Sequence, residues 1–245
     1  MTVTAEGIVL SASESGEADL IIHVITEEHG IVQLMLKGIR KSRRRSISAA
    51  EPGMRSSFVY RTAGKQIHTV SELSPLDLHE QIRSRYDRIV RMHFLLEIVL
   101  RTSPPSQQDP FLYKMLKGAI ESLEKDTGSL SLPLFFTLRL LIHLGVFPDK
   151  PVCSRCGAAD RALSFFFADH TLLCAECALR KGDLVFRTHE TAFIAKAARS
   201  RYAQMPQFPL SPDETGAMLE GLIRFLEESL RISLKSKKML LSPAE

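Results

Sequence analysis

The chain has 245 residues, 44% of them hydrophobic, which is enough for one large domain or for two to three small ones. Its formal net charge at pH 7 is only +4, so the total charge alone is a weak indication of a polyanionic partner. The N-terminus has no basic segment ahead of an apolar core, and no apolar run is long enough to span a bilayer, which argues against a secreted or membrane-spanning protein. We therefore expect a cytoplasmic protein whose thiols stay reduced.

Charge is distributed unevenly along the first quarter of the chain. Residues 1–30 contain six acidic side chains and no Lys or Arg. Residues 37–65 carry nine basic side chains against the single acid Glu51. A nearly neutral total can therefore hide a focused positive potential.

Five short apolar segments in the first part of the chain predict β-strands, at 7–10, 20–26, 31–36, 58–60 and 67–70. The second and third segments flank the turn Glu28-His29-Gly30, which is typical of a hairpin. Five short strands within about eighty residues predict a small closed barrel, of which the five-stranded oligonucleotide-binding (OB) fold is one type. The pattern alone does not separate the OB-fold from an SH3-like barrel.

After Pro75 the apolar residues recur at helical spacing. The first predicted helix ends before Pro104, the second runs to about Lys125, and the third spans 133–144. The sequence Ser-Pro-Asp-Glu at 211–214 combines a capping hydroxyl, a first-turn proline and a reciprocal carboxylate, so it predicts the start of a closing helix.

The four cysteines lie in two C-x-x-C pairs, formed by Cys153, Cys156, Cys174 and Cys177. Two such turns supply the tetrahedral set of four thiolates that Zn²⁺ takes in structural sites, and the apolar stretches between the pairs predict a short ribbon hairpin. One structural zinc ion per chain is favoured over disulfides, because nothing indicates secretion, and over a redox or iron–sulfur site. A catalytic zinc is disfavoured because four thiolates leave no position for water.

These patterns predict an α+β fold with an N-terminal five-stranded OB-fold barrel, followed by a helical domain that carries a four-cysteine zinc-ribbon insertion. The predicted domains are the OB-fold at 1–78, the first part of the helical domain at 79–150, the zinc ribbon at 151–182 and the closing helices of the helical domain at 183–245.

A dense run of basic side chains follows the third predicted strand, and further ones lie in the second hairpin. The candidate nucleic-acid-binding residues are Lys37, Arg40, Lys41, Arg43, Arg44, Arg45, Arg55 and Arg61. Arginine offers a planar fork to phosphate oxygens, and loops on small barrels line oligonucleotide grooves. The alternative is a solvated loop that binds nothing in particular.

Other side chains are weaker candidates for nucleic-acid contact. Phe58, Tyr60 and His68 are candidate stacking surfaces, with burial in the core as the alternative. A basic stripe along the first helix and a group of cations near the end of the chain have a solvated helix face as their alternative. These cations are Arg85, Arg88 and Arg91 on the helix, and Arg231, Lys235, Lys237 and Lys238 near the end.

Signatures of catalysis are missing from the sequence, which has no Gly-rich phosphate loop, no G-x-S-x-G motif and no H-E-x-x-H motif. His23, His93 and His143 fall within apolar segments, where a histidine is more often a satisfied core residue than a base. The acidic residues do not cluster as metal-dependent nuclease chemistry requires. We therefore expect a binding protein and not an enzyme.

Several segments follow a recognisable order: GIVL at 7–10, EADL at 17–20, TEEHG at 26–30, KGIR at 37–40, EP at 51–52, LG at 144–145 and LKSK at 234–237. Together they resemble the bacterial recombination mediator family RecO over essentially the whole chain. Departures are Gly53, where an aromatic residue is common, the arginine triplet 43–45, and Lys237, where the family usually has Arg. The zinc cysteines occur in only part of this family, so zinc would be architectural.

The resemblance implies DNA repair and homologous recombination, through binding of single- and double-stranded DNA and annealing of complementary strands. It implies work with RecR to load RecA onto strands coated by single-strand-binding protein, in the RecF pathway, and hence a location at the nucleoid. The rival hypothesis is a zinc-ribbon transcription or translation factor that binds duplex DNA or RNA. An annealing assay with complementary oligonucleotides separates the two.

Overall fold

The computed structural model describes residues 1–42, 46–62, 66–125, 129–200, 202 and 210–242. The strands within these ranges are β1 (Thr2–Ser15), β2 (Asp19–Thr26), β3 (Gly30–Leu36), β4 (Arg55–Arg61), β5 (Ile67–Asp77), β6 (Leu163–Phe166), β7 (Thr171–Leu173) and β8 (Leu184–Phe186). The helices are α1 (Glu80–Arg83), α2 (Tyr86–Thr102), α3 (Pro110–Leu123), α4 (Ser131–His143), α5 (Thr188–Ala197), α6 (Pro212–Leu230) and α7 (Lys237–Leu241).

The chain divides into two compact units by its contacts. The first comprises Met1–Thr127 together with Leu234–Glu245, and the second comprises Gly128–Ser233. The predicted domain boundaries follow changes in sequence character and not contacts, so they stay a prediction.

In the first unit, β1 to β5 form a closed barrel in the order β1-β2-β3-β5-β4, with β4 pairing back onto β1. Neighbouring strands are antiparallel, except that β3 and β5 are parallel. This is the strand order of an OB-fold, so the predicted α+β chain with an N-terminal five-stranded barrel is confirmed. Side chains alternate along the strands, and the inward-facing ones form a core that includes Val9, Ile22, Leu34, Phe58 and Tyr60.

The strand β1 extends well beyond the predicted residues 7–10. Residues 11–15, Ser-Ala-Ser-Glu-Ser, are exposed or half-buried, so no apolar alternation marks them as strand. They nevertheless pair with residues 19–23 of β2, after a register shift between Val9 and Ser11. Main-chain hydrogen bonds hold this part of β1 in the sheet, so the pattern of apolar side chains could not predict it.

The segment between α2 and α3 lies against the turn that joins β2 to β3. Gly30, with φ of 63°, approaches this segment so closely that a Cβ atom would lie 2.0 Å from the carbonyl oxygen of Gln107. A residue without a side chain is therefore required at this turn. Asp109 then caps α3 by accepting a hydrogen bond from the Leu112 N–H at 2.9 Å, with Pro110 in the first turn.

The segment 234–237 returns to the first unit and lies on α2. The carboxylate of Glu97 accepts hydrogen bonds from the main-chain N–H of Lys235 at 3.0 Å and of Ser236 at 2.8 Å, and from the Ser236 hydroxyl. Leu234 and Leu240 are buried on either side of this anchor. The LKSK segment is thus fixed by one carboxylate, and it places α7 against α2.

In the second unit, α4 packs against α6, and a three-stranded sheet has the order β7-β6-β8. The predicted ribbon hairpin is present as β6 and β7, with Phe165 opposite Leu172. β8 was not predicted, because three residues are too few to show a period. The predicted start of α6 is confirmed: Ser211 and Glu214 cap each other reciprocally, with N–H to oxygen distances of 3.0 and 3.2 Å.

Candidate metal centre and nucleic-acid interface

The basic loop after β3 is held by the turn between β1 and β2. Gly38 adopts the left-handed conformation with φ of 64°, and its N–H donates a hydrogen bond of 2.7 Å to the Asp19 carboxylate. The Arg40 N–H donates to the Ala18 carbonyl at 3.0 Å. The EADL and KGIR segments, 20 residues apart in the sequence, are therefore one structural element. The sequence marked both segments but gave no sign that they touch.

Three of the candidate cations are paired with carboxylates of β1 and its turn. Arg40 lies 2.9 Å from Glu14, Lys41 lies 3.0 Å from Glu17, and Arg55 lies 3.4 Å from Glu6. These acids belong to the acidic first 30 residues, so the fold sets the two oppositely charged segments against each other. Exposed ion pairs of this kind contribute about 0–1 kcal/mol each, so phosphate groups can compete for the cations.

The pairing of the barrel strands shows where the other candidate nucleic-acid-binding residues lie. Arg61 and Met35 pair with Thr69 from opposite sides of β5, so Arg61 and the exposed Lys37 lie near the same end of the barrel. Arg55 pairs with Asp77, six residues and about 20 Å further along β4, so it lies apart from them. Arg43, Arg44 and Arg45 lie outside the described residues.

The weaker stacking candidates are core residues. Phe58 is 0% exposed and Tyr60 is 2% exposed, so neither ring can receive a base. The partly buried His68 stacks on Tyr60 with a ring-centre distance of 5.5 Å. Phe58 and Tyr60 are therefore core residues, which was the alternative to base stacking.

Two alternatives were open for the arginines of α2, a basic stripe for nucleic acid and a solvated helix face, and the structure shows neither for all three. Arg91 is only 3% exposed and forms an ion pair with Asp87 one turn earlier. Arg85 pairs with the same carboxylate at 3.2 Å, and Arg88 donates to the Gln81 carbonyl at 3.1 Å. A three-residue spacing places side chains on one face, but the pattern did not report that this carboxylate binds two of them.

The histidines divide into two groups. His23 is partly buried on β2 and has hydrogen-bond partners: its ring nitrogens lie 3.0 Å from the Ser11 hydroxyl and 2.9 Å from the Gln33 amide, and burial lowers its pKa. His93 and His143 are exposed, so the expectation that they are core residues is wrong. Each lies on the solvent side of a largely buried helix.

The four cysteine sulfurs converge on one point, all within 4.8 Å of one another. Cys153 and Cys174 are buried, and Cys156 Sγ lies 3.8 Å from Cys174 Sγ. Gly157, with φ of 73°, closes the first turn by donating its N–H to the Cys153 carbonyl at 2.8 Å. The Ser154 N–H donates to Leu172 of β7, which ties the first pair to the ribbon hairpin. These sulfurs form a site that can hold a metal ion.

The electrostatics of the four sulfurs favour a cation between them. Burial by itself raises the pKa of the Cys153 thiol, but hydrogen bonds from the main chain of Cys174, Cys156 and Arg155 outweigh burial and lower that pKa to about 6. Burial and hydrogen bonds with the neighbouring sulfurs raise the pKa of Cys177 to about 12. The thiols therefore cannot all ionise without a compensating positive charge. Four soft donors at this spacing fit Zn²⁺.

The structure also brings together two groups that the sequence did not indicate. His79 lies 3.0 Å from Glu124 and 3.4 Å from Asp77 in the first unit. His189 lies 2.8 Å from Glu214 at the start of α6 in the second unit. Each group joins residues that are distant in the sequence, so no local motif could have revealed it. Both are histidine–carboxylate pairs that link separate elements.

None of the described helices combines the length and the apolar character needed to cross a lipid bilayer.

Comparison with known proteins covers nearly the whole chain. The family model for the N-terminal part of recombination protein O matches residues 1–79, and the model for its C-terminal part matches residues 83–238. The DNA repair protein RecO of Moorella thermoacetica is 27% identical over 241 residues, covering 96% of this chain and 89% of the relative. That of Leptospira biflexa serovar Patoc is 29% identical over 175 residues, 70% of each chain, and that of Bacillus pumilus is 21% identical over 244 residues, 98% of this chain and 94% of the relative.

The N-terminal match spans all five strands of the barrel, and the short segments noted in the sequence lie within the two matched ranges. The two family models together span the barrel, most of the helical residues and the four cysteines. The chain belongs to the RecO family.

Proposed function

We propose that the chain acts in DNA repair and homologous recombination as a mediator that binds single- and double-stranded DNA and anneals complementary strands. With RecR it helps to load RecA onto single strands coated by single-strand-binding protein, in the RecF pathway. The observation that carries the proposal is the match of both RecO family models along the chain, on a barrel of the OB type. The site of action is the cytoplasm, at the nucleoid.

The barrel end that carries Lys37, Arg40, Lys41 and Arg61 supports DNA binding. The backbone of this loop is fixed by Asp19 and Ala18, so its cations start from a defined position. When a phosphate approaches, a cation of the loop gives up its carboxylate partner and binds the phosphate instead. Counterions are then released from the DNA. Because the ion pairs with β1 are exposed, this exchange costs little.

Annealing by this route needs no covalent step. A positive surface lowers the repulsion between two strands, and the bases then find their partners. We accordingly propose that the chain is not an enzyme. The prediction is that purified protein hydrolyses neither nucleotides nor DNA.

We further propose that Cys153, Cys156, Cys174 and Cys177 bind one structural Zn²⁺. When bound, the ion supplies the positive charge that the four thiolates need and links the two C-x-x-C turns. The support is the convergence of four sulfurs within 4.8 Å and the main-chain hydrogen bonds to the Cys153 sulfur. The site holds the ribbon of the second unit and has no open position for substrate.

An annealing assay tests the proposal. Two complementary oligonucleotides, one with a fluorophore and one with a quencher, are mixed with the protein, with and without single-strand-binding protein. We expect annealing to be faster than the spontaneous rate in both cases. A variant in which Gln replaces Lys37, Arg40 and Lys41 should anneal strands more slowly. For this variant, the slope of log affinity for single strands against log salt concentration should be flatter by about 2 units. Binding of duplex without any acceleration of annealing would contradict the proposal and favour a duplex-binding factor.

A further inference from the structure

Two exposed side chains without a role in the core meet where α2 begins. Tyr86, the first residue of α2, is 73% exposed, and its hydroxyl lies 3.9 Å from the sulfur of Met239 on α7, which is 51% exposed. His93 lies two helical turns further along the same face of α2 and is also exposed. Single exposed apolar residues are ordinary, but two that touch form a small apolar patch that a ligand can cover. We call Tyr86, His93, Lys235, Lys238 and Met239 the α2–α7 surface.

The α2–α7 surface is held rigidly from below. Glu97, on the same face of α2, accepts three hydrogen bonds from Lys235 and Ser236. Burial alone raises the pKa of Glu97, but these hydrogen bonds and the charge of Arg101 outweigh it and lower that pKa, so the anchor is a carboxylate at neutral pH. A rigid surface loses little conformational entropy when a ligand binds.

The α2–α7 surface is positively charged, and its lysines can bind an anion without first losing a carboxylate partner. Lys235 and Lys238 are exposed, and their ammonium groups form no hydrogen bond or ion pair with the residues that the structure describes. The acid nearest in sequence to Tyr86 is Asp87, and it is already paired with Arg85 and Arg91. This differs from the barrel loop, where Arg40 and Lys41 are paired with glutamates.

We propose that the α2–α7 surface binds single-stranded DNA, with bases stacking on Tyr86 and His93 and phosphates contacting Lys235 and Lys238. Flat exposed rings beside unpaired cations are the combination that sequence-tolerant single-strand binding requires. A duplex hides the faces of its bases, so the ring of Tyr86 selects unpaired strands. The inference rests on the proposed function and extends it: the barrel loop and the α2–α7 surface give one unit two places for a strand, and annealing needs two strands.

The absence of tryptophan from the chain provides a direct test. Tyr86→Trp introduces a unique indole at the surface, and stacking of thymine bases from an oligo(dT) strand should quench its fluorescence. The matched control is Phe111→Trp, at another exposed aromatic position in the same unit, at the start of α3. We expect strong quenching of the first indole and little of the second, with a similar oligo(dT) affinity by anisotropy for both proteins.

Substitutions at the same surface test how much it contributes to the affinity for oligo(dT). Tyr86→Leu keeps an apolar side chain but removes the flat ring, and should weaken oligo(dT) binding by roughly 5- to 150-fold, whereas Tyr86→Phe should bind like the wild type. Lys235→Gln with Lys238→Gln should flatten the salt dependence by about 1.4 units of slope. Lys125→Gln with Lys150→Gln removes the same charge from two other exposed positions and should leave the slope unchanged.

The outcomes separate this inference from the proposed function. If wild type binds oligo(dT) but the indole of the Tyr86→Trp variant is not quenched and Tyr86→Leu binds normally, the inference is wrong and the proposed function stands. If the Tyr86→Leu variant anneals and binds DNA normally but loses binding of an acidic peptide, the surface is a peptide site and the inference is also wrong. If wild type binds no oligo(dT) at all, both are wrong.

Discussion

At the scale of single residues, the glutamates that pair with the loop cations determine how available those cations are. Glu14 and Glu17 occupy Arg40 and Lys41 in the free protein, much as phosphates would in a complex. They orient the cations, but they also have to be displaced before DNA can bind. The net effect depends on which contribution is larger, and for exposed pairs the orienting contribution is small.

We therefore expect Glu14→Gln with Glu17→Gln to tighten single-stranded DNA binding. Each exposed pair is worth at most about 1 kcal/mol, so the gain is up to about fivefold per pair. The dissociation constant is measured by anisotropy at one fixed ionic strength. Glu27→Gln with Glu28→Gln changes the net charge equally but lies at the β2–β3 turn, where Glu27 pairs with Lys114. Equal tightening by both double variants would show a general charge effect and not release of the loop.

At the scale of elements, the two histidine–carboxylate pairs link helices and strands that local sequence does not connect. The start of α6 is the clearest case, because Glu214 accepts hydrogen bonds from Ser211 and also contacts His189 and Arg187 at 2.8 Å. Hydrogen bonds from the Ser211 main chain, then from its hydroxyl and from His189, lower the pKa of Glu214 to about 2, against its ordinary value of 4.5. The carboxylate therefore caps α6 and ties it to α5.

A depressed pKa means that Glu214 stabilises the fold above pH 4.5 and that this contribution is lost as the pH falls from 4.5 towards 2. We expect Glu214→Gln to lower the melting temperature at pH 7 and the difference from wild type to shrink as the pH drops below 4.5. Melting curves of both proteins between pH 7 and pH 3 measure this. Glu220→Gln, on an exposed position of the same helix, is the control. A difference that stays constant across this range would show that the charge of Glu214 does not stabilise α6.

Most elements could be predicted from sequence because their signals are local. The Asp109 and Ser211 caps lie within four residues of the groups they bind, and each strand of the barrel contains a short apolar segment. The cysteine site was also predictable, since each pair is a short turn of fixed spacing. The full length of β1, the strand β8 and the contact of Gly38 with Asp19 were not, because main-chain pairing and long-range contacts leave no periodic pattern.

At the scale of the whole molecule, the proposed zinc ion would stabilise the second unit. The ribbon sheet has strands of only three or four residues, so a metal ion that links the two C-x-x-C turns would add to its stability. We expect purified protein to contain one zinc per chain. Cys174→Ser should lose the metal and lower the melting temperature, because metal binding is part of the folding free energy.

The measurement is elemental analysis of protein purified without chelator, combined with melting curves. Cys177→His is the matched control, because a site of three cysteines and one histidine still binds zinc and should retain both the metal and most of the stability. Retention of metal and melting temperature by Cys174→Ser would show that these sulfurs are not the ligands.

The hydrogen bonds of residues 235 and 236 to Glu97 also determine when α2 can complete its folding during synthesis. Lys235 follows Glu97 by 138 residues, so at 5–20 residues per second about 7 to 30 s pass between the two leaving the ribosome. Throughout that interval α2 lacks Leu234 and Leu240, and the Glu97 carboxylate has no partner there. A nascent chain arrested before residue 234 should therefore be cut by protease in α2, and the full 245-residue chain, held on the ribosome by an added C-terminal linker, should not. The contacts of α2 with α1, α3 and β1 can form early, but its packing is completed only after residues 234–241 have been made.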